Sequence, residues 1–224
     1  MLAEPTKNFL LIESSTSLVS VTIQQDTLNN SPPLYHESIT VSRRETSPLF
    51  AMTQRAVKNI FSNTNPPTHL LVGTGPGSYN GIRAGISLAA GMALAWGIPY
   101  HGICSLLGTR LQNEKTNTHT TPYALCGDAR GGQVFYAILE RTQSAAPRLL
   151  APPILTTRKE ALQQAATQHL PIYFFGEQPA IEIHGPLLAR AAAYEANRTS
   201  PTPLYLKPPH ITPSKKSKPR FTFS

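Results

Sequence analysis

The chain has little of what builds metal and disulfide frameworks. Its 224 residues include 2 cysteines, Cys104 and Cys126, with no CxxC spacing. That excludes a disulfide scaffold or a cysteine-built zinc site, and two apolar-flanked thiols suit a reducing compartment. The 7 histidines (His36, His69, His101, His119, His169, His184 and His210) are scattered, and no two share a helix at a ligand spacing. A metallopeptidase needs such a pair. No acid lies between Gly75 and Glu114, and none follows Glu195. The first gap removes the ribose-binding carboxylate that a Rossmann glycine loop needs about 20 residues on. No lysine follows the glycines either, which argues against a P-loop. Ser78, in Pro76-Gly77-Ser78-Tyr79-Asn80, completes only half of a G-x-S-x-G elbow, so no activated nucleophile is expected. The longest apolar run is short for a bilayer and ends at Gly97 and Pro99. Met1 to Lys7 holds no apolar signal core, and a cytoplasmic location is expected.

What is present centres on Leu70-Leu71-Val72-Gly73-Thr74-Gly75-Pro76-Gly77-Ser78-Tyr79-Asn80-Gly81-Ile82-Arg83, followed by Ala84 to Trp96. A short apolar strand enters a glycine turn, and the turn enters a helix. Such a turn can present backbone N–H groups to a phosphate, aided by the helix N-terminus. It can equally be a tight corner without a ligand. The helix has no polar face: Ile86, Leu88, Met92, Leu94 and Trp96 point several ways, and small residues fill the gaps. A helix apolar all round needs cover on every side. One side can take the sheet, and the other takes the rest of the chain or a second protein.

Along the chain, Phe9 to Ile12 reads as a buried strand, and Glu13 to Ser17 as a polar turn. Val19, Val21 and Ile23 alternate with Ser20, Thr22 and Gln24, the period of a half-buried strand. Asn29 to Pro33 is a turn and Leu34 to Val41 a third strand. Thr46-Ser47-Pro48 opens a helix to Phe61, with a hydroxyl cap and Pro48 at the first position. Leu49, Met52, Ala56 and Ile60, beside Phe50, Val57 and Phe61, form a wide apolar face. Further elements are a strand at Ile98 to Ile103, a helix at Ser105 to Asn113, and a polar boundary loop at Asn117 to Thr121. A second hairpin (Tyr123 to Cys126, Val134 to Leu139) turns through Gly127-Asp128-Ala129-Arg130-Gly131-Gly132. A helix at Lys159 to Gln168, a strand at Ile172 to Phe175 and a helix at Leu187 to Ala196 complete the regular elements. The end, Pro201 to Pro219, reads as extended. The net charge is +8. Part of it is Lys207, Lys215, Lys216, Lys218 and Arg220, which read as a solvated tail or a nucleic-acid contact.

Two strand–acidic turn–strand hairpins resemble the phosphate loops of the actin, sugar-kinase and heat-shock ATPase superfamily. Glu13 and Asp128 would be the paired carboxylates, or else ordinary turn acids. More specifically, Phe9-Leu-Leu-Ile-Glu-Ser-Ser-Thr-Ser17, Gly75-Pro-Gly-Ser-Tyr-Asn-Gly-Ile-Arg83 and Gly127-Asp-Ala-Arg-Gly-Gly-Gln-Val-Phe-Tyr136 together resemble the bacterial TsaB (YeaZ) family. Pro203-Leu-Tyr-Leu206 resembles the proline-led segment near the end of such proteins. Glu13 stands for the usual Asp, Asn80 for Thr, and Gly132-Gln133 for Gly-Glu.

The resemblance implies an α/β, two-lobed actin-like (ribonuclease H-like) fold with a degenerate second lobe. The expected divisions are 1–103, 104–207 and a basic, disordered tail at 208–224. It implies no catalytic residues, no metal and no cofactor. It also implies pairing with a catalytic TsaD-like subunit and a TsaE-like ATPase for threonylcarbamoylation of the adenosine beside the anticodon of tRNA. The tRNA is then met only through the complex, and no membrane is involved. A vestigial phosphate loop would comprise Glu13, Ser14, Thr16, Gly75, Gly77, Ser78, Gly81, Arg83 and Asp128. The expected partner interface comprises Leu49, Met52, Ala56, Ile60, Ile86, Ala89, Ala90 and Ala93, with a homodimer when the partner is absent. The alternatives are an ATP-dependent enzyme of the sugar-kinase type using Glu13 and Asp128, and a peptidase, which the histidine spacing argues against.

Overall fold

The computed structural model describes residues 7–25, 31–42, 45, 47–61, 67–111, 122–140, 148–177 and 181–207. The first lobe opens with a meander, β1 (Asn8–Glu13), β2 (Leu18–Gln25) and β3 (Tyr35–Thr40). Helix α1 (Leu49–Phe61), β4 (His69–Gly73), α2 (Tyr79–Trp96) and β5 (Tyr100–Ile103) follow. A 3-10 turn at Ser105–Gly108 leads to β6 (Thr109–Leu111). The second lobe holds β7 (Pro122–Asp128), β8 (Gln133–Glu140), β9 (Arg148–Leu149), β10 (Ile154–Thr157), α3 (Arg158–Thr167) and β11 (Ile172–Phe174). The chain then forms β12 (Ile181–Ile183), α4 (Gly185–Ala193), a 3-10 turn at Glu195–Asn197 and β13 (Arg198–Thr199).

The first sheet runs β13-β5-β4-β1-β2-β3. β2 is antiparallel to β1 and to β3, whereas β4 is parallel to both β1 and β5. An antiparallel meander joined on its first strand to parallel strands is the ribonuclease H-like plan of actin-like lobes. The second sheet repeats it as β10-β8-β7-β11, with β7 antiparallel to β8 and parallel to β11. Among the described residues, this lobe has no helix standing where α2 stands, and its fifth strand is the two-residue β9, which pairs only with the end of β8. The second lobe is therefore the degenerate one.

Each face of the first sheet has its own cover. Leu10, Ile12, Val21, Ile23, Leu70 and Val72 pack with Leu49, Met52 and Ala56 of α1 and with Ala89 and Ala93 of α2. Phe9, Leu11, Leu71 and Ile103 pack instead with Leu188, Ala189, Ala191 and Ala192 of α4. Burying a large aliphatic side chain contributes about 1.5–3 kcal/mol, so both layers are needed to hold the sheet.

Several expectations shift. β2 is buried on both faces, because α4 covers Ser20 and Thr22. A Cβ on Gly185 would lie 2.4 Å from the Thr22 hydroxyl and 2.8 Å from that of Ser20. A polar strand face can thus lie under a helix that begins with glycine. The expected helix at Ser105 to Asn113 is only a 3-10 turn before β6. Leu188 of α4 sits where a Cβ on Gly108 would fall, at 2.8 Å, and the chain turns off to pair with β12. The division at residue 103 separates chain segments but not packing, because α4 and β13 return to the first sheet. The Asn117 to Thr121 boundary and the tail at 208–224 lie outside the described residues, as does part of the Asn29 to Pro33 turn.

Candidate functional site

The site is the junction of the first turn, the glycine loop and the start of α2. β1 delivers Glu13 to the end of a buried strand, where it is fully buried. Its carboxylate accepts the Ser15 N–H at 2.6 Å and the Ser105 hydroxyl at 2.7 Å. Ser105 in turn accepts the Gly75 N–H at 3.0 Å and donates its own N–H to the Gly75 carbonyl at 3.0 Å. Burial raises the Glu13 pKa above the ordinary glutamate value, while the Ser15 and Ser105 bonds pull the other way.

The glycines are required here by close backbone approach. A Cβ on Gly77 would fall 2.1 Å from the Ser15 carbonyl oxygen, and one on Gly81 would fall 2.0 Å from that of Ser14. On Gly73 it would fall 1.8 Å from the Glu13 carboxylate, and on Gly85 2.5 Å from the Ser14 hydroxyl. Real Cβ atoms do not approach so closely. The first turn therefore lies directly on the loop and on the first turn of α2. Ser78 N–H donates to the Ser15 carbonyl at 2.6 Å, and the Ser14 hydroxyl donates to the Gly81 carbonyl at 2.8 Å. Ser78 caps α2 by accepting the Gly81 N–H at 3.2 Å. Thr16 closes its own turn, donating to the Leu18 carbonyl at 3.1 Å and accepting the Leu18 N–H at 3.2 Å.

The structure thus joins Glu13, Ser14, Gly75, Gly77, Ser78 and Gly81, but as mutual partners. Protein acceptors already take the N–H groups of Gly75 and Ser78 that a phosphate would use. Arg83 points outward, its guanidinium donating to the Tyr79 hydroxyl at 2.5 Å. Asp128 is exposed and accepts the Arg130 N–H at 2.8 Å, which shapes a turn whose Arg130, Gly131 and Gly132 all have positive φ. Among the described residues, no hydrogen bond or ion pair ties Asp128 to Glu13. Of the two readings of the glycine turn, a phosphate loop or a tight corner, this packing favours the corner, with Glu13 as its internal strut. Sequence reading missed Ser105, whose place under the loop is set by β5. It also passed over the glycine at every fourth position from Gly73 to Gly85, a signal of close packing.

The expected interface residues also divide. Leu49, Met52, Ala56, Ala89 and Ala93 are buried in this chain's own core and offer nothing to a partner. Ile60, Ile86 and Ala90 are half-buried. The outward stripe of α2 is Ala84, Ser87, Gly91, Leu94 and Ala95, all exposed. Leu94 is 86% exposed, and a Cβ on Gly91 would meet nothing within 4 Å. On α1, Phe50 is 68% exposed.

Among the described residues no group of three metal-ligating side chains forms, and no helix is long and apolar enough to cross a membrane. Burial pushes the Cys104 and Cys126 thiols up to about 12, so neither is a ready nucleophile.

Comparison with known proteins agrees with this architecture. Residues 40–171 match the family model described as TsaD: tRNA N6-adenosine threonylcarbamoyltransferase. The tRNA threonylcarbamoyladenosine biosynthesis protein TsaB of Escherichia coli is 28% identical over 159 residues, covering 68% of this chain and 66% of that protein. An uncharacterised protein of Mycobacterium tuberculosis is 30% identical over 148 residues, covering 64% of this chain and 66% of its own length. The chain thus spans just under two thirds of these relatives. Two structures from Pseudomonas aeruginosa share the fold at 16% identity. An uncharacterised protein with similarity to peptidase YEAZ superposes with TM-score 0.67 over 90% of this chain and all (100%) of that one. YeaZ itself superposes with TM-score 0.66 over 89% and 100%. With the three motifs in order on a two-lobed ribonuclease H-like frame, the chain belongs to the TsaD family of tRNA threonylcarbamoyltransferase-related proteins, in its TsaB (YeaZ) branch.

Proposed function

We propose that this chain is a non-catalytic scaffold subunit in tRNA threonylcarbamoyladenosine biosynthesis. It pairs through α2 and the neighbouring exposed end of α1 with a TsaD-like catalytic subunit, and a TsaE-like ATPase joins the pair. The observation that carries the reading is the outward stripe of α2, with Leu94 bare and Gly91 open to close approach. Uncharged small residues at helical spacing let another helix come near, and the desolvated area supplies the affinity. The corner at Glu13 and Ser15 supports the non-catalytic part, since the N–H groups of Gly75, Ser78 and Gly81 are taken up inside the protein. Without the partner, the same stripe pairs two copies of the chain.

The test is co-expression with the TsaD-like subunit of the same cell, followed by size-exclusion chromatography and a threonylcarbamoyl-transfer assay. The wild-type chain is expected to co-elute at a fixed ratio and to be required for transfer. Gly91→Arg should abolish co-elution while its melting temperature stays that of the wild type. Retained pairing by that variant would refute the interface. Transfer by the partner alone at the full rate would refute the role.

A further inference from the structure

The end of the described chain is tied to both lobes. The Ser200 carbonyl crosses β5 at Gly102, where a Cβ would fall 2.5 Å away. Leu204 donates its N–H to the Thr74 carbonyl at 2.8 Å, beside the glycine loop. Tyr205 stacks on Tyr79 with ring centroids 4.9 Å apart and planes at 22°. Leu206 packs on the second lobe's core, and the Lys207 ammonium donates to the Arg130 carbonyl at 3.2 Å and to Gln133 Oε1 at 3.3 Å. The result is one continuous surface that runs from Arg83 through Tyr79, Tyr205 and Lys207 to Arg130.

The arginines on this surface differ from most of those elsewhere among the described residues, although Lys58 and Lys159 are likewise exposed without a carboxylate partner. Arg55, Arg110, Arg148, Arg158 and Arg198 each pair with a glutamate. Arg83, Arg130 and Lys207 are exposed and pair with no carboxylate among the described residues. Asp128, on the Arg130 turn, is the acid of this region, and its carboxylate accepts a backbone N–H. Tyr79 and Tyr205 are 36% and 41% exposed, so the stack shows aromatic surface to solvent between unneutralised cations. Beyond Lys207 the sequence adds Lys215, Lys216, Lys218 and Arg220, with no acid after Glu195.

We propose that Arg83, Tyr79, Tyr205, Lys207 and Arg130 form a direct contact surface for RNA, in which the cations take backbone phosphates and the outer Tyr205 ring takes a base. The proposal rests on the scaffold reading for the identity of the RNA, a tRNA, and goes past it in giving this subunit its own contact. Unpaired cations along a surface that joins the two lobes match a phosphate chain, and an exposed aromatic ring stacks on any base. A protein partner is the less fitting occupant, because Lys and Arg held apart by tyrosines are matched only by a comparably spaced acidic chain.

The test is fluorescence anisotropy of the full-length chain with a labelled, unmodified tRNA transcript at graded salt, with heparin as a second polyanion. Arg83→Ala and Lys207→Ala should each weaken tRNA binding roughly three- to tenfold and flatten the log–log salt slope by about 0.7–0.9. Tyr205→Ala should weaken tRNA binding roughly fivefold or more, spare the slope and leave heparin binding unchanged. Tyr205→Phe should restore the tRNA affinity, which separates stacking from loss of the strap. No tRNA binding by the wild-type chain at low salt would overturn the proposal. So would full affinity and slope in both cation variants while removal of 208–224 abolishes binding. Pairing with the catalytic subunit is read separately by co-elution. Pairing without tRNA binding sinks this proposal alone, and tRNA binding without pairing sinks the scaffold reading alone.

Discussion

One substitution made at two positions of α2 should act with opposite signs. Gly81→Ala places a methyl 2.0 Å from the Ser14 carbonyl oxygen, which is backbone and cannot swing away. The first turn of α2 must lift off the β1–β2 turn. Overpacking costs about 1–3 kcal/mol. The Ser14 to Gly81 and Ser78 to Ser15 hydrogen bonds, at 2.8 and 2.6 Å, stretch or break at about 0.5–1.5 kcal/mol each. Better helix propensity returns at most about 1 kcal/mol. The net loss is about 2–4 kcal/mol, or roughly 5–15 °C in melting temperature for a chain of this size. Gly91→Ala meets nothing within 4 Å, so only the propensity gain remains and the monomer should gain about 0.5–1 kcal/mol. Urea denaturation of the isolated chain, monitored by far-UV circular dichroism, gives both values. A Gly81→Ala variant as stable as the wild type would refute the packing account of the glycine loop. A destabilised Gly91→Ala would show that this helix face is covered within the monomer.

Glu13 makes a pH-dependent prediction. Its pKa in the fold is raised above 4.5 by burial, so below 4.5 the side chain is neutral in both states and costs nothing. As pH rises from 4.5 to the raised value, the unfolded chain ionises first and stability falls, then levels off. Glu13→Gln should flatten that decline and match or exceed the wild type at pH 8, whereas Glu13→Ala should lose about 2–4 kcal/mol at every pH by orphaning the Ser15 N–H and the Ser105 hydroxyl. A Gln variant as weak as the Ala variant at pH 8 would mean the charge itself is used. The thiols of Cys104 and Cys126, held up to about 12, should label with iodoacetamide far more slowly in the native protein than in 6 M guanidinium (~100-fold or more). Equal rates would contradict their burial.

Most of the frame could be read from the sequence because its signals are short-range. The Phe9 to Ile12 run, the alternation in β2 and the strand–glycine–helix unit each declare their element locally. The need for a cover on α2 was also legible, since nothing charged follows Arg83 until well past the helix. The direction of its faces was not. Residue size suggests that large residues face in, yet the buried stripe is Ile82, Gly85, Ala89 and Ala93, and Leu94 faces out. Small residues sit inward because the helix lies tight on β1 and β4, a tertiary fact that no helical period contains. For the same reason Leu49, Met52 and Ala56 pack under α1 against the sheet, and Phe50 is left exposed. Glu13 was found as a turn acid, but its Ser105 partner is 92 residues away, which no local pattern reveals. The shortened helix after Ser105 failed similarly, because Leu188 crosses Gly108 from far along the chain.

The return of α4 and β13 to the first sheet has a consequence for synthesis. While the ribosome is still making the second lobe, Phe9, Leu11, Leu71 and Ile103 have no cover, and the outer edge of β5 has no partner strand. The first lobe cannot reach its final state until residues 185–199 have emerged. Folding is then a late, whole-chain event, and a fragment ending near residue 103 should aggregate through that bare apolar face.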